Sequence, residues 1–138
     1  MSELTAQELA RRYVETLGDG RLDECMGLFH ENAVVLFPKS LHTPTRVTKE
    51  VFRRALAGMT NVFEVRPRYT ILHQTSEDDR SCIEFLGVGR LKTGAVFENL
   101  YCLLFVAEDG YIVQLREYVD THYMLTVFNQ ASVACPVH

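Results

Sequence analysis

The spacing of apolar residues changes once along the chain. Up to Met59 they recur every three or four positions, as on one face of a helix; from Asn61 onward they alternate, as in strands. Leu9, Tyr13 and Leu17 mark the apolar face of a first helix. It opens on Thr5-Ala6-Gln7-Glu8, which fits a capping box with Leu4 and Leu9 as the hydrophobic staple, and Gly18 and Gly20 stop it. A shorter second helix follows through Leu22, Met26 and Phe29. Ala33 to Phe37 is a short β-rich run closed by Pro38, and Lys39 to Val47 reads as a loop around Pro44. Thr48 then caps a third, amphipathic helix carrying Val51, Phe52, Ala55, Leu56 and Met59.

The alternating half predicts four long strands, Phe63 to Gln74, Ser81 to Leu91, Val96 to Ala107 and Tyr111 to Val119, in an antiparallel meander separated by SEDD, KTG and EDG. A short helix, Tyr123 to Asn129, and the tail ASVACPVH follow. Helices first and strands afterwards predict an α+β architecture, with helices on one face of an antiparallel sheet. In the strand from Val96, one face carries Phe97, Asn99, Tyr101, Leu103 and Phe105, and the other carries Val96, Leu100, Cys102, Leu104 and Val106. Both faces need cover and the helices supply only one, so a homodimer through the sheet is expected.

Composition narrows the partners. A chain of 138 residues, 47% hydrophobic and 23% charged, suits one domain spanning 1–138 with a sizeable core. The net charge is −4 and the arginines fall in scattered pairs, so nucleic acid is not an expected partner. The start MSELTAQELARRY is polar and helical, and no apolar run approaches the roughly 18 residues of a membrane span, so a soluble, cytoplasmic protein with no membrane partner is expected. Cys25, Cys82, Cys102 and Cys135 are widely spaced and read as buried small hydrophobes; neither a metal nor a disulfide framework is expected.

Candidate chemistry gathers in the hairpin Phe97 to Thr121, which is apolar yet ends in an acid, Asp120. A carboxyl shut into an apolar cavity holds its proton nearer neutrality, and can take a proton from carbon and return it elsewhere. Asp120 is placed for this with Arg116 and Tyr118 on its strand face, but it also suits the N-cap of the last helix. Tyr13 lies on the core-facing stripe of the first helix, as a filler or a hydroxyl donor. Asn99 and Tyr101 put two polar tips on one buried strand face, which suggests a cavity. Glu84 interrupts an apolar run, either pairing with Arg116 across strands or lining the pocket. His30 and His42 flank the first strand and its loop, where substrate contacts often reside. His73 and His122 stand alone, which gives no metal set.

Two stretches, RRYVETLGDGRLDECMGLFHENAVVLFP and GYIVQLREYVDT, carry a resemblance that extends over nearly the whole chain. Their order and spacing resemble the cone-shaped α+β barrel of ketosteroid isomerases, SnoaL-like polyketide cyclases, limonene epoxide hydrolase and nuclear transport factor two. That resemblance implies three N-terminal helices packed on a curved antiparallel sheet that encloses a pocket. It places Tyr13 where ketosteroid isomerases carry the tyrosine of their oxyanion hole. Their base would stand at Phe37, which cannot accept a proton, and their second oxyanion donor falls at or near Cys102. The Arg-x-Asp pair of limonene epoxide hydrolase is replaced by Glu84-Phe85-Leu86. SnoaL-like cyclases are closest in overall pattern, with an acid/base aspartate where Asp120 stands.

The resemblance implies a cofactor-independent isomerase or cyclase acting on a small hydrophobic or aromatic, cyclic or polyketide-like molecule, with Asp120 and Tyr13 catalytic. Asn99, Tyr101, Glu84, Arg116, Tyr118, Phe37, His30 and His42 would line its pocket. The alternative is a non-catalytic ligand-binding or dimerisation module of the same fold.

Overall fold

The computed structural model of the chain describes residues 3–37 and 46–130. Helix α1 (Ala6–Gly18) starts at the predicted capping box: the Thr5 hydroxyl accepts from the Glu8 amide at 3.2 Å, and the Glu8 carboxylate accepts from the Thr5 amide at 3.3 Å. Next come α2 (Leu22–Met26), β1 (Phe29–Leu36), β2 (Arg46–Thr48) and α3 (Lys49–Thr60), the last capped by Thr48. The meander follows as β3 (Phe63–Glu77), β4 (Arg80–Leu91), β5 (Val96–Glu108) and β6 (Tyr111–Val119), and α4 (Thr121–Gln130) ends the described chain.

The strands form one sheet in the order β2-β1-β6-β5-β4-β3. All neighbours are antiparallel except β1 and β6. The expected meander is present, but three expectations need correction. First, β1 begins at Phe29 rather than Ala33, because His30, Glu31 and Asn32 are exposed strand residues whose polarity hides them from an apolar pattern. Second, Arg46–Thr48 pairs with β1, inside a segment that reads as loop. Third, β1 and β2 separate α2 from α3, and α4 adds a fourth helix, so the helices do not form one N-terminal block of three.

Irregularities in the strand register bend the sheet. Register shifts interrupt the β3–β4 pairing at Phe63/Val65, Val65/Arg68 and Ile71/His73, and another interrupts β5–β6 at Val106/Ala107. Such bulges increase twist and re-aim side chains. The curved sheet wraps its inner face around α1, which buries Leu9, Ala10, Tyr13 and Val14 against β3 to β6. From the sheet come Ile83, Phe85, Phe97, Leu103, Phe105 and Leu115, each at most 1% exposed. The Tyr13 ring meets Phe105 edge-on at 5.2 Å and Phe29 at 5.9 Å. Full burial of such side chains contributes roughly 1.5–3 kcal/mol each, which makes α1 the element that holds the inner face closed. The outer face keeps Val96 and Leu100 more than half exposed, with Tyr118 at 46%.

Candidate functional site

The bulge in β6 decides which residues look inward. Ala107 pairs with Ile112 while Val106 pairs with Gln114, leaving Val113 as the extra residue. After it, Leu115, Glu117 and Val119 stand opposite Phe105, Leu103 and Tyr101, which lie on the buried row of β5. Gln114, Arg116 and Tyr118 are turned to the outer face. A glutamate therefore sits on the inner face between Leu115 and Val119.

Burial is the whole cause of a large change in this carboxyl: its pKa is pushed up from 4.5 to about 7. Among the described residues, no ion pair or side-chain hydrogen bond reaches Glu117. None of the fully buried polar side-chain atoms there lacks a partner, so the unpaired Glu117 oxygens must keep some accessible surface. The side chain is indeed only half-buried by surface area, although protein surrounds it. Glu117 is thus desolvated without being sealed off.

Three phenols feel its charge. Burial raises the pKa of Tyr13, Tyr69 and Tyr101, and in each case a negative charge on Glu117 adds to the rise, which places all three within its electrostatic reach. At neutral pH these hydroxyls are therefore protonated donors. The Tyr69 and Tyr101 rings meet edge-on with centres 5.9 Å apart at 87°. Tyr101 also stacks on Phe85 at 4.7 Å. Gly87 makes room for this group: a Cβ there would lie 2.7 Å from the Tyr69 ring and 3.2 Å from that of Tyr101. Cys25 lies behind Tyr13, its thiol pushed up to about 11 by burial. α4 closes one end, where Met124 Sδ accepts from Asn99 Nδ2 at 3.3 Å and Tyr123 Oη accepts from the Glu98 amide at 2.9 Å.

The expected site residues divide between the two faces. Tyr13, Asn99 and Tyr101 lie inside, at 2%, 4% and 6% exposure. Phe37 is half-buried with its ring 6.4 Å from Phe52; β1 runs parallel to β6 with Leu36 opposite Arg116, so Phe37, next along, comes level with Glu117. Asp120 is exposed, and its carboxylate accepts from the Tyr123 amide at 3.0 Å, so its geometry is that of the helix cap. Glu84, Tyr118 and Asp120 line an open outer groove of about 530 Å³ beside α4. The expected Glu84–Arg116 ion pair does not form among the described residues; Arg116 donates to Gln114 at 2.9 Å. His30 is exposed and accepts from the Asn32 amide, while His42 lies outside the described residues. Among the described residues, no three His, Cys, Asp or Glu side chains gather as metal ligands.

Glu117 and Tyr69 are the residues that sequence reasoning missed. The signal for Glu117 is an acid flanked at two residues on either side by Leu115 and Val119, which alternation assigns to one face. The curved six-stranded sheet wrapped around α1, with an acid and three phenols on its inner face, defines an α+β domain of the SnoaL-like class. The SnoaL-like domain family matches residues 10–115, and the chain belongs to that family.

Solved structures agree on the fold. PrhC from Penicillium brasilianum superposes with a TM-score of 0.79 at 12% identity, over 90% of this chain and 85% of that one. A candidate isomerase from Bacillus subtilis gives 0.77 at 21% identity, over 90% and 92%. A protein of ketosteroid isomerase-like fold from Catenulispora acidiphila, solved with trimethylamine, gives 0.72 at 16% identity, over 95% and 97%. Among curated proteins, no sequence matches the chain.

Proposed function

We propose that the protein is a cofactor-independent acid/base enzyme, an isomerase or cyclase of SnoaL-like type, whose proton shuttle is Glu117. The observation that carries this reading is the Glu117 carboxyl itself, desolvated on the inner face and raised to about 7, with Tyr13, Tyr69 and Tyr101 around it. The resemblance to ketosteroid isomerases puts a base at Phe37; Glu117 comes level with that residue one strand away, so the acid has a substitute at the same height of the sheet. The curved sheet is read as the cone-shaped wall of the pocket.

In the proposed step, ionised Glu117 removes a proton from carbon next to a carbonyl. The C–H electron pair becomes the enolate, whose oxygen is held by a phenol of the Tyr69–Tyr101 pair or by Tyr13. The shuttle then returns its proton at another carbon, giving the isomer, or the enolate carbon attacks a second carbonyl carbon of the same molecule, closing the ring as that C=O π pair moves to oxygen, which takes the proton back from Glu117. Aromatic walls suit a small hydrophobic or aromatic carbonyl compound. Asp120 is assigned to capping α4, and the exposed strip of Val96, Leu100 and Tyr118 supports a homodimer across the outer face.

The test is substrate-agnostic. Neutral cyclic ketones and enones are incubated with the protein in D2O, and deuterium uptake next to the carbonyl is followed by NMR. Wild type exchanges, Glu117→Gln loses about 100-fold or more, and Asp120→Asn does not change. Loss in Asp120→Asn with retention in Glu117→Gln overturns the assignment. A wild type that binds these compounds without exchange points instead to the binding module.

A further inference from the structure

Two cysteines on the outer face lie close enough to act together. Cys82 on β4 pairs in register with Leu104, and Cys102 on β5 pairs with Glu84, so the two are diagonal neighbours on adjacent strands. Their side chains converge to an Sγ–Sγ distance of 3.5 Å, and both are free thiols that retain surface. Diagonal neighbours on adjacent strands have backbones about 7–8 Å apart, at the outer edge of what a disulfide spans, so the bond draws the two strands together as it closes. Closing the bond brings the sulfurs from 3.5 Å to about 2.0 Å.

Access and charge are also set by the surroundings. Cys102 lines the open outer groove, whose lining includes Glu84, Glu98 and Asp120 and, among the described residues, no Lys, Arg or His; Arg116, opposite Leu104 on the same face, lies outside it. The field in the groove is therefore negative, which concentrates cationic reagents and excludes anionic ones. Cys102 holds its proton firmly: burial first, then the bond to Cys82 and the charges of Cys82 and Glu84, push its pKa up to about 11. Exchange with a disulfide needs the thiolate, so the reaction is slow at neutral pH and faster in base.

We infer that Cys82 and Cys102 form a dithiol modification site, closed to an intramolecular cross-strand disulfide by a small cationic disulfide in preference to an anionic one. The Cys102 thiolate attacks the reagent R–S–S–R, forming a mixed disulfide and releasing one RS⁻. The Cys82 thiolate then attacks Cys102 Sγ, forming the Cys82–Cys102 bond and expelling the second RS⁻. The protein loses two protons and two electrons, and the reagent takes them up as two RSH. The site is independent of the acid/base chemistry on the inner face; Leu100 and Tyr118 line the same groove, so the dimer proposed across that face covers the pair and the reaction is that of the dissociated chain.

The experiment treats the full chain with cystamine or with oxidised glutathione at matched concentration and low salt, and maps the disulfides by peptide mass spectrometry. The expected product joins the peptides of Cys82 and Cys102 within one chain, with cystamine about tenfold faster and its advantage shrinking as salt is added. Cys82→Ser is expected to stop at a stable cysteamine adduct on Cys102, and Cys102→Ser to form no linked peptide. A Cys102–Cys102 link between chains, a link to Cys25 or Cys135, or a mixed disulfide that persists in wild type overturns the pair. Equal rates for the two reagents overturn its charge selectivity.

Discussion

Replacing Glu117 by glutamine should change how stability depends on pH, in a way set by the burial of one carboxyl. In the folded protein that carboxyl titrates at about 7, against 4.5 without burial. Below pH 4.5 it is protonated in both states and contributes nothing. Between pH 4.5 and 7 the unfolded chain ionises while the folded one keeps its proton, so stability falls as pH rises. Above pH 7 both are ionised and the full penalty stands. The shift of about 2.5 units, at 1.36 kcal/mol per unit, corresponds to about 3 kcal/mol.

Glutamine has a similar shape and cannot ionise, so the variant lacks this slope. Urea unfolding of wild type and Glu117→Gln at intervals from pH 4 to 8.5 gives the difference curve, in which groups common to both cancel. The variant should gain about 3 kcal/mol relative to wild type between the two ends, with the change centred between pH 4.5 and 7. Parallel curves would refute the reasoning, because they would mean that the carboxyl is as well solvated in the fold as in the unfolded chain.

Gly87→Ala drives a Cβ to 2.7 Å from the Tyr69 ring; a loss of about 1–3 kcal/mol by thermal or urea unfolding is expected, with a lowered rate of carbonyl-compound exchange. Asp120→Ala removes the acceptor for the Tyr123 amide and should cost about 1 kcal/mol without affecting that exchange. Leu100→Glu places a charge on the exposed outer strip; sedimentation velocity should show the expected dimer shifted to monomer, and an unchanged sedimentation coefficient would remove this face from the interface.

Much of the fold was legible because local signals agreed with the final arrangement. The capping box at Thr5, the cap at Thr48 and the period-two runs from Phe63 onward all appear where their chemistry puts them. What was hidden was non-local or polar. The first turn of β1, His30-Glu31-Asn32, is solvent-facing, so no apolar alternation announces a strand whose partner, β6, lies some eighty residues further on. The site was half legible for a similar reason. Alternation put Gln114, Arg116 and Tyr118 on one face, as the β5–β6 register has them, but which face looks inward depends on the Val113 bulge and on α1, neither of which a single strand encodes. The same alternation placed Asn99 and Tyr101 with the buried Phe97, as observed.

The central claim is that Glu117 is a desolvated inner acid. Its most direct test is the titration of the Glu117 side-chain carboxyl carbon by NMR in the full chain, assigned with Glu117→Gln. A midpoint of about 7 is predicted. A midpoint near 4.5, the value without burial, would contradict the account and leave the inner face without a proton shuttle.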